Sequence, residues 1–131
     1  MSLRPALALA LALAALLASA CAAKKEGDAA MRPGENCLSC HGDFTAAGTV
    51  YASATAAAGE GVAGVTVTLD GSSVTDEVTT NAAGNFYSKV ALGFPVVVTV
   101  SKSGSSRSMT ATAGGCATSG CHDSAMRIHV P

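Results

Sequence analysis

A chain of 131 residues with a formal net charge of −1 and 13% charged residues makes one small domain, with neither a basic face for nucleic acid nor an acidic tail. Aromatic residues are 4% of it and tryptophan is absent, so no stacking platform for single-stranded nucleic acid is expected.

The N-terminus reads as an export signal and not as part of the fold. Arg4 gives a short positive start, and residues 6–17 are an unbroken run of Ala and Leu. Crossing a bilayer core of about 30 Å takes roughly 20 apolar residues, so this run is too short to span. It suits the apolar stretch of a secretory signal over residues 1–20, closed by the small residues Ala18-Ser19-Ala20. The stretch Leu17-Ala18-Ser19-Ala20-Cys21 resembles the lipobox of bacterial lipoproteins, with Ala18 where leucine is usual. The resemblance implies cleavage before Cys21, acylation of that cysteine and stable attachment to a membrane surface, since two acyl chains already suffice. Ala22, with no Asp after the cysteine, implies by the same resemblance the outer membrane. Ordinary cleavage near Ala20 or Ala22 is the alternative. Residues 21–34 hold too few apolar side chains to pack and read as a flexible tether.

Export decides how the other cysteines are read, because thiols outside the cytoplasm are oxidised or occupied. Besides Cys21 there are two close pairs, Cys37 with Cys40 and Cys116 with Cys121. Residues 35–48 contain Cys37-Leu38-Ser39-Cys40-His41, the C-x-x-C-H pattern of c-type haem attachment. Two intervening residues let each sulfur reach one vinyl group, and the next residue, His41, comes over the iron as axial ligand. A zinc half-site is the competing reading, since a second Cys pair exists. A thioredoxin-like motif would need a βαβ context, which the chain lacks.

Residues 49–113 have the texture of a β-sandwich. Val65, Val67 and Leu69 alternate with Thr66 and Thr68, as in a half-buried strand, and Asp70-Gly71 marks a turn. A second run covers residues 74–79, closed by Asn81-Ala82-Ala83-Gly84-Asn85. Phe86, Ser88 and Val90 then share a face opposite to Tyr87 and Lys89. Residues 96–100 are a β-branched run expected in a central strand, ended by Lys102-Ser103-Gly104, and residues 107–112 make the last strand. The prediction is a mainly β fold, a single immunoglobulin- or transthyretin-like sandwich of six or seven strands. Val62-Ala63-Gly64-Val65-Thr66-Val67-Thr68-Leu69, followed by Thr80-Asn81-Ala82-Ala83-Gly84-Asn85-Phe86, resembles the carboxypeptidase regulatory-like domain, with Asn81 where that family has Asp. That family implies an accessory module without catalytic residues.

Residues 114–131 carry the second motif, Cys116-Ala117-Thr118-Ser119-Gly120-Cys121-His122. Its C-x-x-x-x-C-H spacing is two residues longer than the common form, and Gly120 would help the loop bulge. A histidine directly after both cysteine pairs is needed by neither a disulfide nor a four-cysteine zinc site. A local Cys116–Cys121 disulfide is the alternative. With their two motifs flanking a sandwich, these residues resemble small exported multihaem c-type cytochromes of the lipoprotein kind. The resemblance implies two haem c groups, held by Cys37, Cys40 and His41 and by Cys116, Cys121 and His122.

Two six-coordinate haems need four protein ligands, and the chain has three histidines. His129 is the imidazole left for a distal site. Seven residues beyond His122, it reaches at most about 23 Å. Met31, Met109 and Met126 are the thioether candidates for the remaining position, and Met109 is preferred. Strict up-and-down alternation of six strands would bring both haem segments to one pole. The resulting expectation is an electron carrier and not an enzyme, acting with other redox proteins, cytochromes or further copies of itself. Two readings stand beside it: an open-coordinate haem enzyme, peroxidase-like, and a haem-free binding sandwich stapled by disulfides or zinc.

Overall fold

The computed structural model describes residues 31–117 and 122–131. The signal segment 1–20, Cys21, the first ten tether residues and Cys121 lie outside the described residues. Among those described, a short 3-10 turn, Cys37–Ser39, precedes six strands. These are β1 (Ala46–Thr49), β2 (Thr66–Asp70), β3 (Thr75–Thr79), β4 (Asn85–Ser88), β5 (Val96–Lys102) and β6 (Ser105–Ala111). The chain is mainly β, as its alternation predicts, with a two-stranded sheet β1-β4 and a four-stranded sheet β3-β2-β5-β6.

All pairs in the larger sheet are antiparallel. Its inner face is built from every second residue of the two central strands: Val67 and Leu69 on β2, and Val96, Val98 and Val100 on β5, all buried. Phe86 of β4 and Ala46 of β1 close the same core from the smaller sheet, with Val50, Val65, Leu92 and Ile128. Each fully buried Val, Leu or Phe contributes about 1.5–3 kcal/mol, so this alternation supplies most of the drive to fold. The opposite face of the larger sheet stays open, as antiparallel sheets permit, and Val97 is 41% exposed there. Residues 96–100 are therefore central in the sheet but covered on one side only. At the tip of β5–β6, Ser103 and Gly104 both have positive φ, 52° and 83°. This two-residue loop is of the kind that matches the strand twist.

The path departs from simple up-and-down order, because β1 pairs with β4 and β2 with β5. β1 begins at Ala46, inside the stretch assigned to the first haem segment. All four of its residues are buried. One edge pairs with β4 and the other meets the C-terminal segment, where Ala47 bridges Gly115. Buried polar groups fasten this region: Thr49 Oγ1 donates to Asn85 Oδ1 (2.6 Å) and accepts from Gly34 N (3.0 Å). Asn85 Nδ2 donates to the Met31 carbonyl at 3.2 Å. The last residues of the expected tether are thus tied to the sandwich.

Candidate functional site

The first motif is shaped locally. Asn36 Oδ1 accepts from Leu38 N, and Ser39 Oγ donates back to the Asn36 carbonyl. The Cys37 carbonyl accepts from Cys40 N (3.2 Å) and His41 N (2.9 Å). Three residues per turn bring positions i and i+3 into line, so Cys37 and Cys40 sit one above the other. Cys37 is a half-buried free thiol. Burial, first, and the Glu35 charge push its pKa up, partly offset by a backbone hydrogen bond. Cys40 is exposed and disulfide-bonded, and its partner is not Cys37.

A second turn follows, in which Phe44 N donates to the His41 carbonyl at 3.2 Å. It lays the imidazole of His41 on the Phe44 ring, with centroids 4.5 Å apart and planes 10° from parallel. Phe44 lies in turn on Tyr87 of β4, at 4.3 Å and 7°. Lys89 Nζ sits 5.5 Å from the Phe44 centroid and 6.0 Å from that of Tyr87, and pairs with Asp43 Oδ2 at 2.9 Å. Among the described residues neither ring nitrogen of His41 has a hydrogen-bond partner.

The second motif is placed by tertiary contacts. Cys116 is buried, its N–H donating to the Ala47 carbonyl at 3.1 Å. His122 Nδ1 lies 2.8 Å from the Met126 carbonyl, an acceptor only, so Nδ1 carries the hydrogen and the lone pair stays on Nε2. Metal-binding histidines commonly donate their other ring N–H in this way. Nε2 faces the Met109 sulfur at 2.9 Å. The arrangement brings together His122 and Met109, two ligand candidates that the sequence did not assign to the same haem. His129 points elsewhere: its Nε2 accepts from Arg107 Nη1 at 3.0 Å, and its Nδ1 lies 3.1 Å from the Arg127 carbonyl. Met126 is 59% exposed, and Met31 is held by its own carbonyl against Asn85.

A shallow cleft opens beside this motif, lined among others by Gly34, Thr49, Tyr51, Cys116, His122 and Arg127. Arg127 covers the Tyr51 ring at 4.2 Å and donates from Nε to the Ala56 carbonyl. Tyr51 Oη is buried without a hydrogen-bond partner among the described residues, and burial raises its pKa.

The residue types at the first motif are those of haem c attachment, with the free thiol of Cys37 and a His41 imidazole without a hydrogen-bond partner among the described residues, but the Cys40 sulfur is engaged in a disulfide that would have to open first. At the second, His122 and Met109 would have to part. At 2.9 Å the two side chains are too close to hold one iron between them. Among the described residues no three of His, Cys, Asp and Glu converge on one point.

The turn and the C-terminal segment both pack along β1, which sets the two motifs near one another. Pairing of the tail with β1 does this, through Gly115 at Ala47 and His129 at Tyr51, and not strand alternation. Sequence reasoning missed Phe44, Tyr87, Tyr51 and Arg127. Only the outward phase of Tyr87 on its strand was readable. No protein-family model, curated protein or solved structure matched the chain.

Proposed function

We propose that this protein is an exported, lipid-anchored dihaem c-type cytochrome that passes electrons between redox partners at the cell envelope. The reading rests above all on the C-x-x-C-H turn of Cys37, Cys40 and His41, whose ring nitrogens have no hydrogen-bond partner among the described residues. When bound, haem c supplies a one-electron Fe(III)/Fe(II) couple. Cys37 and Cys40 would hold it as thioethers, each S–H adding across one vinyl group, which requires that a thiol reductant first open the disulfide at Cys40. His41 would offer an imidazole nitrogen to the iron. At the second site Cys116 and Cys121 are the tethers. His122 keeps its proton on Nδ1 for the Met126 carbonyl, leaving Nε2 as donor, and Met109 faces it. Met109 could take part only by moving off His122, and its thioether would then raise the reduction potential.

Cys21 is the proposed acylation site, with the outer membrane as the destination. Among the described residues no helix is long and apolar enough to cross a membrane. The carboxypeptidase regulatory-like likeness, proposed for residues 49–113, makes the sandwich a scaffold that carries the redox segments.

The disulfide at Cys40 favours a second reading, a haem-free sandwich stapled through its cysteines. One sulfur cannot serve both bonds. A pyridine haemochrome spectrum with haem-to-chain stoichiometry, on protein made where c-type maturation operates, separates the two. Two haems per chain support the dihaem carrier. One haem, lost with Cys37→Ser and kept with Cys116→Ser, restricts it to the first motif. A colourless protein overturns it in favour of the stapled sandwich.

A further inference from the structure

The two candidate axial histidines are held in different ways. His122 is oriented by a hydrogen bond from Nδ1 to the Met126 carbonyl. His41 has no such bond among the described residues, and what fixes its plane is the aromatic column. The three rings of His41, Phe44 and Tyr87 are within about ten degrees of parallel, at centroid spacings of 4.5 and 4.3 Å.

The column has causes in sequence and topology. The His41-Gly42-Asp43-Phe44 turn, closed by Phe44 N to the His41 carbonyl, sets the first two rings side by side. Pairing of β1 with β4 aligns Ala47 with Tyr87, so an outward Tyr87 reaches the ring just before β1. Phe44 is 6% exposed, locked between its neighbours, while Tyr87 is 38% exposed and closes the column at the surface. Lys89 covers both from the side and ties to Asp43 within the turn.

We infer that Phe44 and Tyr87 are positioning residues for the His41 imidazole, fixing its rotation at the metal in place of the usual hydrogen bond to the second ring nitrogen. Stacking covers a ring face, whereas a metal binds in the ring plane at a nitrogen, so the column and a ligand do not compete for the same atoms. Parallel aromatic pairs contribute about 0.5–1.5 kcal/mol beyond their buried area, enough to select one ring orientation from several. The inference rests on the proposal that His41 is an axial ligand.

The test uses the full chain with haem attached, comparing wild type with Tyr87→Leu, Tyr87→Phe and Phe44→Leu. Haem stoichiometry, the ferric electron paramagnetic resonance spectrum and the midpoint potentials are measured on each. Tyr87→Leu is at a surface position and is expected to fold and to load as many haems as wild type. One set of ferric g-values should broaden or shift and one midpoint should move, while the other haem's values stay. Tyr87→Phe, which keeps the ring, should restore the wild-type pattern, and Phe44→Leu should exceed Tyr87→Leu. Unchanged g-values and midpoints in Tyr87→Leu with haem present would overturn the positioning role alone. A colourless wild type would overturn the haem reading, and this inference with it.

Discussion

Asp43 and Lys89 show how a single pair can clamp a functional turn. The hydrogen bond from Lys89 Nζ, first, then backbone and charge effects hold the Asp43 carboxyl below the ordinary carboxylate range. A depressed carboxyl pKa favours the folded state above the unfolded value, and that preference is lost as pH falls through the folded one. Both groups are well exposed, so solvent screens the pair and its weight in global stability is small. The effect belongs in the local titration. Lys89→Gln should raise the Asp43 pKa toward the ordinary range, read by carboxyl NMR, while the denaturation midpoint at neutral pH hardly moves. A value unaltered by the substitution would show that the contact is not formed in solution.

At the scale of elements, β1 is the strand buried at every one of its positions. Gly48 faces the second motif: a Cβ there would lie 2.9 Å from Cys116 Cβ and 3.1 Å from the Phe86 ring. The neighbours are a buried cysteine and a core aromatic, neither free to swing away. Gly48→Ala should therefore cost about 1–3 kcal/mol in chemical denaturation, the usual scale of overpacking. It should also disturb Cys116 before it disturbs Cys37. The same strand shows what sequence can and cannot reveal. β2, β4 and β5 were readable because one face is wet and the other dry, which writes alternation into Thr66-Val67-Thr68-Leu69. β1 is buried at all four positions and built of Ala, Ala, Gly and Thr, so no period-2 signal exists and it passed as part of a loop. The cysteine motifs were legible because their chemistry demands fixed spacing. The aromatic column was not, since its rings come from two elements joined only by the β1–β4 register. The Arg107 contact that engages His129 depends on the chain returning past β6, which no local pattern encodes.

For the whole molecule, the two motifs differ in what holds them. The first is set by hydrogen bonds spanning a few residues, from Asn36 to Phe44. The second depends on the C-terminal segment lying along β1: Tyr51 N donates to the Ile128 carbonyl, Val130 N donates to the Tyr51 carbonyl, and the Ile128 side chain enters the core at 8% exposure. Ile128→Ala should lower stability by about 2–5 kcal/mol, the range for truncating a buried isoleucine. Because the segment between His122 and Pro131 hangs on this anchor, the Met126 carbonyl that orients His122 should loosen with it. The first motif keeps its local bonds. On the proposed dihaem reading, the variant should lose the spectroscopic signature of His122 ligation in denaturant at lower concentration than that of His41, with both haems still covalently attached. Simultaneous loss at one midpoint would mean that His41 too depends on the cooperative core through Phe44 and Tyr87, making the column a global element and not a local one.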